Sequence, residues 1–481
     1  MKKNRILIYI MILIAIILCV PSITYLINNK TVDGFNSYYT YDLENWTNTQ
    51  KGLISGIIVI GLLLIYSIIY FVVIKKENKI FKNNKQILIC IIVISFIFML
   101  ILPYLSSDIY YYMGDSWIAS KYGANPYYIT VENLQNNGIN DEILNNTGYW
   151  KNTVSVYGPL WNSIAKLLIT LSFGSVTIGL FVFKIASYLL HILNAFIIYK
   201  ITKSKKYMLI YGLNPLILIE FLSNVHNDIY LITCILLAIY FLVRKNNKYF
   251  TMIFLALSVA IKYSTVLLIP FVLIYIYRKY SVSKRILFCL ISGLSMIVLV
   301  VLLYLPYYRD FTVFTNMLVQ GDRYSQSIMS FFMDNINQNN LFMTINSLRL
   351  PIFVIIYVVS ISIILLKKEN ITLVEILREY NIVSLLFIFV VLTNFQKWYI
   401  LWIIPTMIWQ GKYMRKFILY LTTIALIPSM NYFIIGGDAY IYGITYSIKM
   451  LLYSGILVLI DICKDNIKKN KRRKNVTFSI N

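Results

Sequence analysis

The feature that most constrains this chain is a recurrence of apolar runs from one end to the other, many near the ~20 residues that cross a bilayer as a helix. Residues 87–102, "ILICIIVISFIFMLIL", show the type. Lipid admits only helices or closed barrels, because every backbone polar group must be satisfied internally. These runs are continuous rather than alternating, which selects helices over a barrel. The expected fold class is therefore an all-α polytopic membrane protein. Composition agrees: the chain is 59% hydrophobic and 13% charged, where a soluble domain is nearer a quarter charged.

Spans are expected near 6–27, 53–74, 87–105, 177–199, 207–223, 228–243, 250–262, 264–278, 286–305, 351–367, 381–394, 398–411, 415–433 and 443–462. That makes about 12–14 transmembrane helices, several of them short for a ~30 Å core. The first run follows "MKKNR" but is longer than a signal core and lacks a clean small-residue cleavage site, so it is read as a first helix. The short spans meet in pairs at "SNVHND", "AIKYS" and "NFQKWY", each read as a tight outer turn. Two outer loops are long, 106–176 and 306–350. Within the first, residues 157–173 carry apolar side chains at helical spacing and are read as an amphipathic helix in the interface. Three regions follow: N-terminal helices over 1–86, a core over 87–411, and C-terminal helices with a basic tail over 412–481.

A net charge of +24 invites a nucleic-acid reading. Its distribution argues against one. Of the 44 Lys and Arg, 32 fall in the ends and loops 1–5, 75–86, 200–206, 244–248, 278–285, 367–380, 412–416 and 464–481. That is the positive-inside pattern, and it puts both termini in the cytoplasm of a multi-pass cell-membrane protein. The five cysteines show no metal spacing and read as apolar filler.

Ionisable groups at membrane depth persist where they are paired, wet or used. "LSSDIYYYMGDSW" offers Asp108 and Asp115, seven residues and two helical turns apart, among Tyr111, Tyr112 and Trp117. A carboxylate beside aromatic rings suits a sugar site: it takes a hydroxyl proton while rings pack on the sugar. An interfacial aromatic belt with incidental carboxylates is the bland alternative. "NPLILIEFLSNVHND" brings Glu220, then His226, Asn227 and Asp228. These bind sugar hydroxyls, or they cap a polar turn. Lys262 in "AIKYS", and Lys397 beside Trp398 in "NFQKWY", suit a phosphate or anchor to headgroups. Arg309, Asp310, Asp322 and Arg323 lie in the second loop and default to solvation. His191, inside an apolar span, reads as a core histidine. No compact acidic ligand cluster stands out, so no cofactor is expected beyond a weakly held divalent cation.

Taken in order, "SSDIYYY" with "GANPYY", "YGPLW", "NPL…E…HND", "IKYS…P" and "QKWYILW" resemble the polyprenyl-phosphate-mannose-dependent alpha-1,6-mannosyltransferases of the GT-C glycosyltransferase superfamily. The resemblance spans about 100 to 405. It implies a GT-C-like helical fold with a catalytic first outer loop, and inverting transfer of a hexose from a polyprenyl-phosphate donor to a glycolipid or cell-envelope glycan. By position, Asp108 matches the catalytic aspartate, with Asp115 the next candidate, and His226, Asn227 and Asp228 match the "HND" element. Substrate contacts are then expected from Tyr111, Tyr112, Tyr157, Lys262, Gln396, Lys397 and Trp398, with membrane lipids as surroundings. Two positions depart from the family pattern: Lys397 stands where proline is expected, and Asp115 where a neutral polar residue is expected. The rival readings are a transporter or lipid-linked saccharide flippase, with charges near the midplane in two repeated halves, and a polysaccharide polymerase.

Overall fold

In the computed structural model, residues 2–29, 32, 48–279, 282–315, 323–336, 340–367, 371–427 and 446–477 are described. Among them the chain is all helix and turn, with only two isolated bridges, joining residues 325 and 326 to Asn394. Among the described residues, six helices are long and apolar enough to cross a membrane: Arg5–Asn29, Ile54–Lys75, Val176–Thr202, Lys284–Tyr304, Leu341–Leu366 and Tyr446–Ile467. A bent pair, Pro215–Ser223 with Asp228–Arg244, makes a seventh span if counted together. The expectation of 12–14 spans includes short apolar runs, and these form helices such as Asn84–Leu100 and Lys248–Ile261, below the length of a full crossing by themselves. Apolar content reports what a helix is buried in, lipid or protein, and the short helix Asn84–Leu100 meets both: Ile87, Ile91, Ile94 and Phe98 are fully enclosed, while Ile89, Val93 and Phe96 are exposed. The Leu341–Leu366 helix is covered least, with 11% of its apolar window buried in the rest of the chain. It also begins ten residues before the expected span, inside the stretch read as the second outer loop.

Local sequence explains many helix starts. Asn83 accepts from Gln86 N–H, Asn214 from Leu216 and Ile217 N–H, and Asn247 from Tyr249 and Phe250 N–H. Each satisfies donors that a helix N-terminus leaves orphaned. Thr372 and Glu375 form a reciprocal capping box.

The first long loop is built from helices Asp108–Lys121 and Pro159–Thr170, which pack on each other. In the second, Trp161, Ala165 and Ile169 are buried against the chain, while Leu167 and Leu171 of the expected apolar stripe are exposed. Asp141 ties the loop together. Its carboxylate accepts from Trp117 Nε1 (3.0 Å), Lys121 Nζ (2.7 Å) and Tyr122 Oη (3.0 Å), and from Ile143 N–H (2.9 Å) at the start of the next helix. Burial pushes this carboxyl up, but those donors outweigh it and hold it below its ordinary value.

Gly158 joins the loop to the span region. Its N–H donates to Ile261 O (3.1 Å), and a Cβ there would stand 2.1 Å from Ala260 O. Only glycine allows the "YGPLW" backbone to lie this close to the residues before Lys262. The five cysteines are free thiols.

Candidate functional site

The tight turn 224–227 is the centre of the site. The helix before it widens over Leu218–Ser223, so that Asn224 N–H bonds Ile219 O and His226 N–H bonds Glu220 O (2.9 Å each). Such wide turns mark functional sites frequently. Val225 then takes a left-handed φ of 61°. A β-branched residue in that conformation carries strain of roughly 1–3 kcal/mol, which persists only where the surroundings over-determine it. The helix resumes at Asp228, bent by 119°.

This turn places His226 between two carboxylates. His226 Nδ1 lies 3.6 Å from Asp108 Oδ2, and His226 Nε2 lies 3.1 Å from Glu220 Oε2. Glu220 in turn is 3.2 Å from Lys397 Nζ and accepts from Asn224 Nδ2 (3.0 Å). The imidazole stacks on Trp398, with centroids 3.6 Å apart and planes 23° from parallel. A second ion pair stands beside the first chain. Lys262 Nζ is 2.8 Å from Asp228 Oδ1, which also accepts from Trp402 Nε1. The Lys262 ammonium sits over the rings of Tyr399 and Trp402, 4.7 and 5.0 Å from their centroids.

Carboxylates alternate with lysine and imidazole nitrogens through this cluster, the partnering that buried ions require. His226, Glu220 and Asp228 are fully enclosed, whereas the Asp108 and Lys262 side chains each keep 17% exposure. One carboxylate and one ammonium are thus the charges of this cluster left partly open. Burial raises the Asp108 carboxyl above its ordinary value. His226 and Lys262 oppose that shift, and Asp228 and Glu220 add to it. Tyr112 Oη lies 3.5 Å from Asp108 Oδ2, Tyr157 Oη lies 3.5 Å from Tyr112 Oη, and the two rings meet edge to face. Asn227 is fully buried, with neither amide atom partnered.

So Asp108, Tyr112, Tyr157, His226, Asp228, Lys262, Lys397 and Trp398 come together from five separated stretches, with Asn227 in the same turn. Of the others, Tyr111 keeps its ring beside those of Tyr112 and Tyr157 (centroids 6.4 and 6.3 Å apart), and the rest stand apart. Asp115, two turns along the Asp108 helix, has Ser155 as its hydrogen-bond partner, and burial raises its pKa to about 8. Tyr111 donates to Val154 O (3.0 Å). Gln396 donates to Asn394 Oδ1 (2.9 Å). Arg309 and Asp310 engage Tyr128, and Arg323 lies over Trp150, all as ties between loops; Asp322 lies outside the described residues. His191 bonds Gly212 O (3.1 Å) and stacks on Tyr211 in the core.

Two residues gain weight that the sequence did not give them. Glu220 links His226 to Lys397, and the signal was available: a carboxylate inside an apolar run needs a cation. Lys397, the departure from the family pattern, is that cation. Among the described residues, no group of three or more His, Cys, Asp or Glu side chains is arranged to hold a metal ion.

A family model, alpha-(1->6)-mannopyranosyltransferase, N-terminal domain, matches residues 18–278. The chain belongs to this mannosyltransferase family. The match takes in Asp108, the "YGPLW" segment, the 224–227 turn and Lys262, while Lys397 and Trp398 lie beyond it. No curated protein and no solved structure gives a significant match to the chain. Membership of the mannopyranosyltransferase family, with the six candidate spans, makes this a multi-pass membrane glycosyltransferase.

Proposed function

We propose that this protein transfers a hexose, mannose by family, from a polyprenyl-phosphate donor to a glycolipid or cell-envelope glycan, with inversion, at the outer face of the membrane. The observation that carries the reading is the pairing of Asp108 and Lys262 as the two partly exposed charges on an otherwise enclosed cluster.

In this reading Asp108 is the general base. The acceptor hydroxyl oxygen forms its bond to the anomeric carbon, and the hydroxyl proton passes to the Asp108 carboxylate. The bond from that carbon to the phosphate oxygen breaks, and its electron pair leaves with the phosphate. A phosphate leaving group is already ionised, so it needs a nearby cation more than an acid. Lys262 is placed for that, its ammonium shared with Asp228 and held over two rings. His226 stabilises the Asp108 carboxylate, and Glu220 with Lys397 holds His226 in place. Asn227, with both amide atoms unpartnered, supplies a donor and an acceptor for sugar hydroxyls. The GT-C-like arrangement follows from the same picture: a membrane-bound donor approaches from the lipid side and the acceptor from the water side. A transporter would be expected to carry its charges near the midplane in two repeated halves.

The test is transfer of label from polyprenyl-phosphate [14C]mannose in membranes carrying wild-type or Asp108→Asn protein at equal abundance. Loss of a general base removes about 10²–10⁴-fold in rate, so Asp108→Asn should fall by that order. Full activity in the variant would move the base elsewhere, to Asp115 first. No transfer by the wild type would defeat the donor assignment.

A further inference from the structure

Lys184 is a fully buried lysine to which the cluster above assigns no role. It lies inside the Val176–Thr202 helix, and its partners are not carboxylates. Nζ donates to Ile101 O (2.6 Å), Leu222 O (2.9 Å) and Ser223 O (2.8 Å). Three acceptors take up the three hydrogens of an ammonium group. All three carbonyls stand at helix ends: Ile101 caps Asn84–Leu100, and Leu222 and Ser223 close the helix before the 224–227 turn. A helix C-terminus carries roughly half a negative charge. Two such ends converging on one ammonium provide the counter-charge that a carboxylate would otherwise supply.

The same junction is stitched further. Ser223 Oγ donates to Ile101 O (3.3 Å) and Leu102 O (3.2 Å), and Asn224 Oδ1 accepts from Tyr104 and Leu105 N–H (3.3 Å each). One strand of this junction runs on to Asp108. The other runs on to His226. We propose that Lys184 is a positioning residue for sugar transfer: by gathering these two helix ends it sets the separation between Asp108 and His226. The proposal rests on Asp108 being the base.

The readout is the pH dependence of transfer as well as its rate. Asp108 is faced by His226, Lys262, Asp228 and Glu220, by Tyr111 and Tyr112 on its own helix, and by Tyr157 and Tyr399. Of these, His226 and Lys262 favour the carboxylate. If the junction slackens and His226 recedes, the carboxylate loses support, and the acid limb of the rate profile moves to higher pH.

The experiment compares wild type, Lys184→Met, Ser223→Ala and Asp108→Asn in the full chain, in membranes holding their own acceptors, with polyprenyl-phosphate [14C]mannose as donor. Rates are normalised to folded protein after detergent extraction. Lys184→Met is expected to lose about 10²-fold at saturating donor, the scale of a 1 Å misplacement. Its half-saturating donor concentration should stay unchanged and its acid limb should move up. A folded Lys184→Met with wild-type rate and an unmoved limb overturns the proposal. If Lys184→Met does not accumulate folded, Ser223→Ala decides on the same readouts. A smaller loss with the limb shifted upward supports the positioning role, and an unmoved limb refutes it. Silence of both junction variants beside an inactive Asp108→Asn defeats this inference alone. An active Asp108→Asn defeats the base assignment and the inference with it.

Discussion

At the scale of single residues, the chemistry turns on how a carboxylate stays useful in a mostly dry site. Burial favours the protonated form of Asp108, and a protonated acid cannot accept the acceptor's proton. His226 and Lys262 partly offset that cost, yet the carboxyl stays above its ordinary value. With Asp108 as the proposed base the sign follows: transfer would need the deprotonated form, so the rate should rise with pH through the raised pKa and vanish as pH falls below it. A rate profile on membranes would show an acid limb above the ordinary carboxylate value of about 3.9. Lys262→Met removes one of the two favourable charges and should push that limb higher while weakening donor binding. A limb that stays put in Lys262→Met would mean that the ammonium does not act on Asp108. Asp115 is a useful contrast on the same helix: buried with a serine hydroxyl for company, its pKa is raised to about 8.

At the scale of elements, the site depends on backbones brought unusually close. Gly158 lies against Ala260 and Ile261, one residue before Lys262. Gly158→Ala drives a methyl into a backbone carbonyl, an overpacking that costs about 1–3 kcal/mol. The expected result is a lower Tm in detergent and a loss of transfer larger than the fraction unfolded explains, because the Lys262 turn must move. Asp141 governs the first loop in another way. It caps the 142–145 helix and anchors Trp117, Lys121 and Tyr122 on the Asp108 helix. Its carboxyl is held low, so its contribution is present above the ordinary carboxylate value and lost as pH falls through the lowered one. Asp141→Ala should cost at least the cap, about 0.5–2 kcal/mol. Differential scanning at neutral pH would register it, and the gap between variant and wild type should close at low pH.

At the scale of the whole molecule, the spans and the charge pattern make a topological claim. If positive charge marks the cytoplasmic side, Lys203 and the C-terminal tail lie inside, and the loop that carries Asp108 lies outside. Asn137 and Lys203 are both exposed on the protein surface. In a Cys463→Ser background, which removes the exposed native thiol, an impermeant maleimide added to intact cells should label Asn137→Cys and spare Lys203→Cys. The reverse pattern would put the cluster on the cytoplasmic face and change the acceptors it can meet. The same view explains why long apolar helices gather at the periphery. Leu341–Leu366 and Lys284–Tyr304 bury 11% and 17% of their apolar windows within the chain, against 50% for Ile54–Lys75. The remaining surface is apolar because lipid is its solvent.

The sequence by itself determined the class of this protein. Long continuous apolar runs, a positive charge concentrated in alternate loops and five ordered motifs were enough to read an all-helical membrane glycosyltransferase and to name most of the residues that now cluster. Those signals are local: hydropathy, capping residues and motif spacing act within a few turns of chain. The number of full crossings was not legible, because a buried helix and a lipid-facing one draw on the same apolar residues. Nor was the partnering of charges. Glu220 and Lys397 are 177 positions apart, and nothing along the chain says that they meet. Lys184 showed no signal, since its partners are backbone carbonyls, which every residue owns. Tertiary structure alone decided that two helix ends would converge on it, that Asp108 would stand beside His226 while Asp115 turned to Ser155, and that two charges would remain at the mouth. Which ions pair depends on which helices touch, and that is settled by packing across the whole molecule.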